Sequence, residues 1–90
     1  MYRIETTPEF DQDVGHLERQ TAERVIRKVE WLAQHPEVLP APPRHLPEEL
    51  KGLHKYRVGD YRLLLWIDHD AQVLTLYDVR YRSEVYDLLR

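Results

Sequence analysis

The chain has 90 residues, no cysteine, 42% hydrophobic and 32% charged content, which suits one compact core over residues 1–90 and leaves too little for two. The missing thiols exclude a disulfide scaffold, a thiolate zinc site and a cysteine nucleophile. A net charge of −3 argues against a generally basic nucleic-acid binder, but the halves differ, with −4 over residues 1–50 and +1 over residues 51–90.

Residues 2–6 alternate polar and apolar side chains and read as a short strand with Tyr2 and Ile4 toward the core. Thr7 is placed to cap a helix, Pro8 suits its first position, and Phe10, Val14 and Leu17 recur at helical spacing. Gly15 weakens that helix. A break near 19–21 leads to a second one, in which Ala22, Val25, Ile26, Val29 and Leu32 form the apolar stripe and His35-Pro36 ends it.

Five prolines between Pro36 and Pro47 block helix and central strand and mark a surface loop. Beyond it, 53–58, 61–68 and 73–81 read as three strands, joined by Gly59-Asp60 and by a polar turn around His69-Asp70. Residues 83–89 suit one or two helical turns. The order β-α-α-β-β-β-α defines an α+β domain, with two N-terminal helices packed on one face of a twisted antiparallel sheet and the other face left to solvent or a ligand. Apolar runs such as 63–67 fall short of the roughly 20 residues of a membrane span. Met1-Tyr2-Arg3 opens into charged sequence rather than a secretory leader, so a cytoplasmic protein without membrane contact is expected.

Positive charge is concentrated. Lys51, Lys55, Arg57 and Arg62 fall close together with one acid, Asp60, among them, and Arg80 and Arg82 follow on a later segment. Lys55 and Arg57 share strand parity, and the tight turn brings Arg62 to the same end of the sheet. Such cations, with no carboxylate dyad, suit binding an anion such as a phosphodiester approaching its pentacovalent transition state. The plainer alternative is solvated strand residues, some paired with Asp60, Asp68, Asp78 or Glu84. Tyr56, Tyr61, Tyr77, Tyr81 and Trp66 read as packing residues, and Tyr56 has the wrong parity to stack bases beside Lys55 and Arg57. The five histidines lack the i, i+4 spacing of a helical metal site, so no metal or cofactor is expected, and His54 should diverge from Lys55.

The stretch Leu50-Lys51-Gly52-Leu53-His54-Lys55-Tyr56-Arg57-Val58-Gly59-Asp60-Tyr61-Arg62, followed by an aliphatic strand and by Val79-Arg80-Tyr81-Arg82-Ser83-Glu84-Val85-Tyr86, resembles the RelE/ParE toxin superfamily. The resemblance covers nearly the whole chain, since a strand and helical hairpin before the Leu-Lys-Gly block are also that family's layout. It implies a type II toxin neutralised by a cognate antitoxin, in a toxin–antitoxin hetero-oligomer. The RelE branch cuts mRNA on the ribosome, whereas the ParE branch inhibits DNA gyrase without chemistry of its own. An inactive binding module is a third outcome of the same fold.

Carried over by motif, the RelE-type site falls on Lys55, Arg57, Arg62, Arg80 and Tyr86, with Lys51 and Arg82 as further RNA-binding residues. This implies a metal-independent endoribonuclease in which the 2′-hydroxyl attacks the adjacent phosphate. Arg62 would clamp the transition state, Arg80 would serve the leaving group, and Tyr86 would orient the nucleophile or stack on a base. The branch usually shows lysine where Arg57 stands, and arginine is a poor proton acceptor at neutral pH, so Lys55 is the better base.

Overall fold

The computed structural model describes residues 1–85. Its elements run β1 (Arg3–Thr6), α1 (Pro8–Gly15), α2 (Arg19–Gln34), β2 (His54–Val58), β3 (Tyr61–Asp68) and β4 (Val73–Tyr81), with single 3₁₀ turns at Pro36–Val38 and Glu48–Leu50 in the long loop. Among the described residues no helix is long and apolar enough to cross a membrane.

Local chemistry explains most boundaries. Thr7 Oγ1 accepts from the Phe10 amide and caps α1, with Pro8 in its first turn. The Thr7 hydroxyl also donates to the Tyr77 carbonyl at 2.6 Å, so the cap ties α1 to β4. Helix α1 ends at Gly15, where the His16 amide closes onto Asp13 and Val14. Helix α2 begins at Arg19, earlier than the expected break at 19–21, because the Glu18 carbonyl already accepts from Ala22. Gly59 turns β2 into β3 with φ +61, a left-handed conformation that glycine adopts without strain.

The four strands lie in the order β1-β4-β3-β2. Strands β2, β3 and β4 form the expected antiparallel meander, but β1 pairs parallel to β4, with Arg3 opposite Val73 and Thr6 opposite Leu76. The sheet is therefore mixed rather than wholly antiparallel. Alternation within a strand reports its buried face and carries no information about its neighbour's direction. A bulge adds a second departure from regularity: Leu64 pairs with Asp78 and Leu65 with Leu76, so Tyr77 is the extra residue. The alternation slips there, and the helix-side core takes Leu74 and Leu76 before the bulge and Val79 after it.

That core joins Phe10, Val25, Val29, Leu32 and Ala33 to Val58, Leu63 and Leu65, with Tyr2, Ile4, Val14, Leu17 and Tyr56 packed on it. Ile26, expected in the stripe of α2, is 41% exposed, and Ala33 is buried instead. Val25 and Ile26 are successive on the helix, so 100° separates them and one must turn outward. The opposite sheet face is not left wholly open. Leu50, Leu53, Leu64 and Val85 form a second apolar cluster there, flanked by Leu46, Trp66 and Tyr77. The Trp66 indole donates to the Lys51 carbonyl at 3.0 Å and pins the loop over this face. Of the expected C-terminal helix at 83–89, Val85 is buried in that cluster and residues 86–89 lie outside the described residues.

Candidate functional site

Arg57 pairs with Arg62 across β2 and β3, and Arg62 with Arg80 across β3 and β4. Three guanidinium residues thus occupy one cross-strand row, with neighbouring Cα atoms about 5 Å apart. Antiparallel pairing around a two-residue turn makes the first match inevitable; the bulge at Tyr77 sets the second, because without it Arg80 would be out of step with Arg62.

The row divides among three cavities. The first, of about 440 Å³, is lined by Lys55, Arg62, Arg82, Ser83 and Val85. Arg62 is oriented by its own turn: Nη1 donates to the carbonyls of Gly59 at 3.2 Å and Tyr61 at 3.0 Å. The Arg82 amide donates to the Asp60 carbonyl at 2.9 Å, which ties the end of β4 to the β2–β3 turn and brings Arg82 and Ser83 to the rim. Among the described residues no acid lines this cavity, and Lys55, Arg62 and Arg82 form no salt bridge.

Arg80 is held differently. Its Nε meets Asp78 Oδ2 at 2.9 Å and Asp13 Oδ2 at 3.5 Å, and Nη1 lies 3.8 Å from Glu84 Oε2. Arg80, Asp13 and Glu84 border a neighbouring cavity with His16, Tyr61 and Tyr81. Asp78 is 1% exposed, its Oδ1 accepting from the Val79 amide. Burial, then the neighbouring Asp13 carboxyl, push its pKa up to about 6, against the opposing pull of Arg80. Among the described residues Asp13 Oδ2 is itself buried without a hydrogen-bond partner, a geometry that a proton on Asp78 satisfies. The hydrogen bond from Arg80 to Asp78 in turn raises the pKa of the guanidinium.

Arg57 lies outside the first cavity. It lines a third one with Arg24 and Lys28 of α2, and its Nε donates to the Gly59 carbonyl at 3.4 Å. Lys51 is exposed at the 3₁₀ turn and does not line the first cavity. His54 Nδ1 sits 2.7 Å from the Pro40 carbonyl, a loop contact directed away from Lys55. Tyr86 lies outside the described residues. Pairing of Arg80 with Asp78 and Glu84 is legible in the sequence as an alternative; Asp13 is not, since only packing of α1 on β4 brings it there. Among the described residues no cluster of three His, Asp or Glu could hold a metal ion.

The model of the ParE toxin of type II toxin–antitoxin systems matches residues 4–86. The chain therefore belongs to this toxin family, within the RelE/ParE superfamily. Among solved structures, the RelBE2 toxin–antitoxin complex from Mycobacterium tuberculosis is similar, with TM-score 0.78, 27% identity and 90% and 98% of the two chains covered. Isolated Escherichia coli RelE aligns with TM-score 0.73 and 20% identity over 98% and 94% of the chains. The RelE–RelB complex from Pyrococcus horikoshii gives TM-score 0.70 and 17% identity over 90% and 94%. The latter two likenesses speak to fold alone. No curated protein matches the chain.

Proposed function

We propose that this toxin is an mRNA endoribonuclease, acting on the ribosome, and that a cognate antitoxin neutralises it as in the toxin–antitoxin complexes it resembles. The observation that carries the reading is the cavity of Lys55, Arg62 and Arg82, which among the described residues have no acidic partner and line one space that a phosphodiester fits. Lys55 is the candidate base that takes the proton of the 2′-hydroxyl while that oxygen attacks phosphorus. The P–O5′ bond breaks to leave a 2′,3′-cyclic phosphate. Arg62, fixed by Gly59 and Tyr61, presents its fork to the phosphorane oxygens. Arg82 offsets charge on the departing 5′-oxygen, which takes up a proton from solvent. Arg80, neutralised by carboxylates, supports the row rather than the phosphate.

The test is cleavage of a ribosome-bound message. Arg62→Ala should lower the rate by about 10²–10³ with its melting temperature preserved, and Arg62→Lys should recover only part, because an ammonium lacks the planar fork. A folded Arg62→Ala protein that cuts at the parental rate rejects the assignment. One alternative has specific support: the ParE family match and the neutralised Arg80 favour a gyrase inhibitor without chemistry. That reading predicts inhibition of supercoiling by purified toxin, undiminished in Arg62→Ala.

A further inference from the structure

The third cavity is unused by the chemistry just described. Of about 490 Å³, it is lined by Arg24, Lys28, Tyr56, Arg57, Val58 and Gly59, three cations and, among the described residues, no acid. Arg24 and Lys28 are four residues apart and share a face of α2. Among the described residues neither they nor Arg57 form a salt bridge, whereas the exposed neighbours Arg19 and Glu23 pair with each other. The place is built rather than loose. The Arg24 guanidinium lies so close to Gly59 that a Cβ there would stand 2.8 Å from its Nη1. The Lys28 ammonium sits 4.7 Å from the Trp31 ring centroid and 5.9 Å from that of Tyr56.

We propose that Arg24, Lys28 and Arg57 form a second phosphate subsite for single-stranded RNA, round the β2 edge of the sheet from the cleavage cavity. The proposal rests on the nuclease reading above and extends it. Two features favour RNA over an acidic peptide. Arg57 is the cross-strand partner of Arg62, so the row carries positive charge from the reacting phosphate to the β2 edge, and Arg24 and Lys28 continue it round that edge on the helix side of the sheet. Tyr56 packs on the helix-side core with the Lys28 ammonium 5.9 Å from its ring centroid, so recognition in the cavity rests on its three cations, which read backbone charge without reading sequence.

The experiment uses full-length toxin and 2′-O-methyl oligoribonucleotides, which bind but lack the attacking hydroxyl. Arg24→Gln/Lys28→Gln should weaken a hexanucleotide about tenfold, the loss of one set of charge-assisted contacts. It should leave a dinucleotide unaffected and reduce the salt slope of hexanucleotide binding by about 0.7 for each phosphate released. The loss should be the same for different base sequences. Lys28→Met alone, which keeps a long side chain over Tyr56, guards against misfolding of the double variant and should show a smaller loss in the same direction. Unchanged hexanucleotide affinity and salt slope overturn the proposal. So does a loss confined to antitoxin binding, which would assign the cavity to an acidic protein segment. Because no chemistry is measured, these outcomes are separate from the Arg62→Ala cleavage test. Loss of cleavage there with unchanged hexanucleotide binding here would leave the nuclease standing and remove the subsite.

Discussion

Asp78 shows how one buried side chain links stability to the arginine row. Its carboxyl is raised to about 6 chiefly by burial, so between about pH 4 and pH 6 the folded chain holds a proton that the unfolded chain has lost. The stabilisation linked to that proton is complete below the unfolded pKa of 3.8 and disappears as pH rises through about 6. A shift of about two units corresponds to at most about 3 kcal/mol. Asp78→Asn should flatten the fall in melting temperature between pH 4 and pH 7, and at pH 8 it trades relief of the buried charge for loss of the bond from Arg80. The amide oxygen still accepts from the Val79 amide and the NH₂ can donate to Asp13 Oδ2, but it stands where Oδ2 accepted from Arg80 Nε, so that bond is given up. Thermal melts across pH check this; an undiminished slope in the variant would place the linkage elsewhere. Arg62→Ala is the contrasting residue. Its contacts are to half-buried carbonyls within its own turn, and it pairs with no charged group among the described residues, so its loss should register in cleavage far more than in folding.

At the scale of elements, Thr7 joins two of them. Its hydroxyl caps α1 and reaches β4, so Thr7→Ala removes a cap and leaves the Tyr77 carbonyl without that donor. A cost of about 1–2 kcal/mol is expected in urea unfolding, while Thr7→Ser should restore most of it. Val85 is the corresponding test on the other sheet face. It is buried beside Leu50, Leu53 and Leu64 and also lines the cavity of Lys55, Arg62 and Arg82. Val85→Ala should cost about 1–2 kcal/mol by the loss of buried methyl groups and should disturb cleavage as well, since it loosens the cavity wall. If stability falls and cleavage is untouched, the second cluster is support for the fold alone.

For the molecule as a whole, the two apolar clusters share β3, with Leu63 and Leu65 on one side and Leu64 on the other. One central strand cannot lose one core and keep the other, so unfolding should be a single cooperative transition. The two tryptophans report on it separately: Trp31 lies on α2 and Trp66 on the second cluster. Trp31→Phe and Trp66→Phe proteins should give coincident fluorescence and circular-dichroism midpoints within each variant. Separated transitions would mean that the face carrying the loop and Val85 opens on its own.

Short sequence windows determine much of this protein. Alternation and turn chemistry place Tyr61–Asp68 and Val73–Tyr81, Thr7-Pro8 starts α1, and the Gly59-Asp60 turn obliges Arg57 and Arg62 to face each other. Each depends on neighbours a few residues apart, where steric preference and periodicity act directly. The parallel direction of β1, the extra residue Tyr77, the second cluster under Val85 and the outward turn of Ile26 were decided only in the tertiary structure. So were the two groupings that change the meaning of the arginines: Asp13 and Asp78 around Arg80, and Arg24 and Lys28 beside Arg57. Those partners are distant in sequence, and the chain carries no local signal of a contact that packing of a helix against a strand creates.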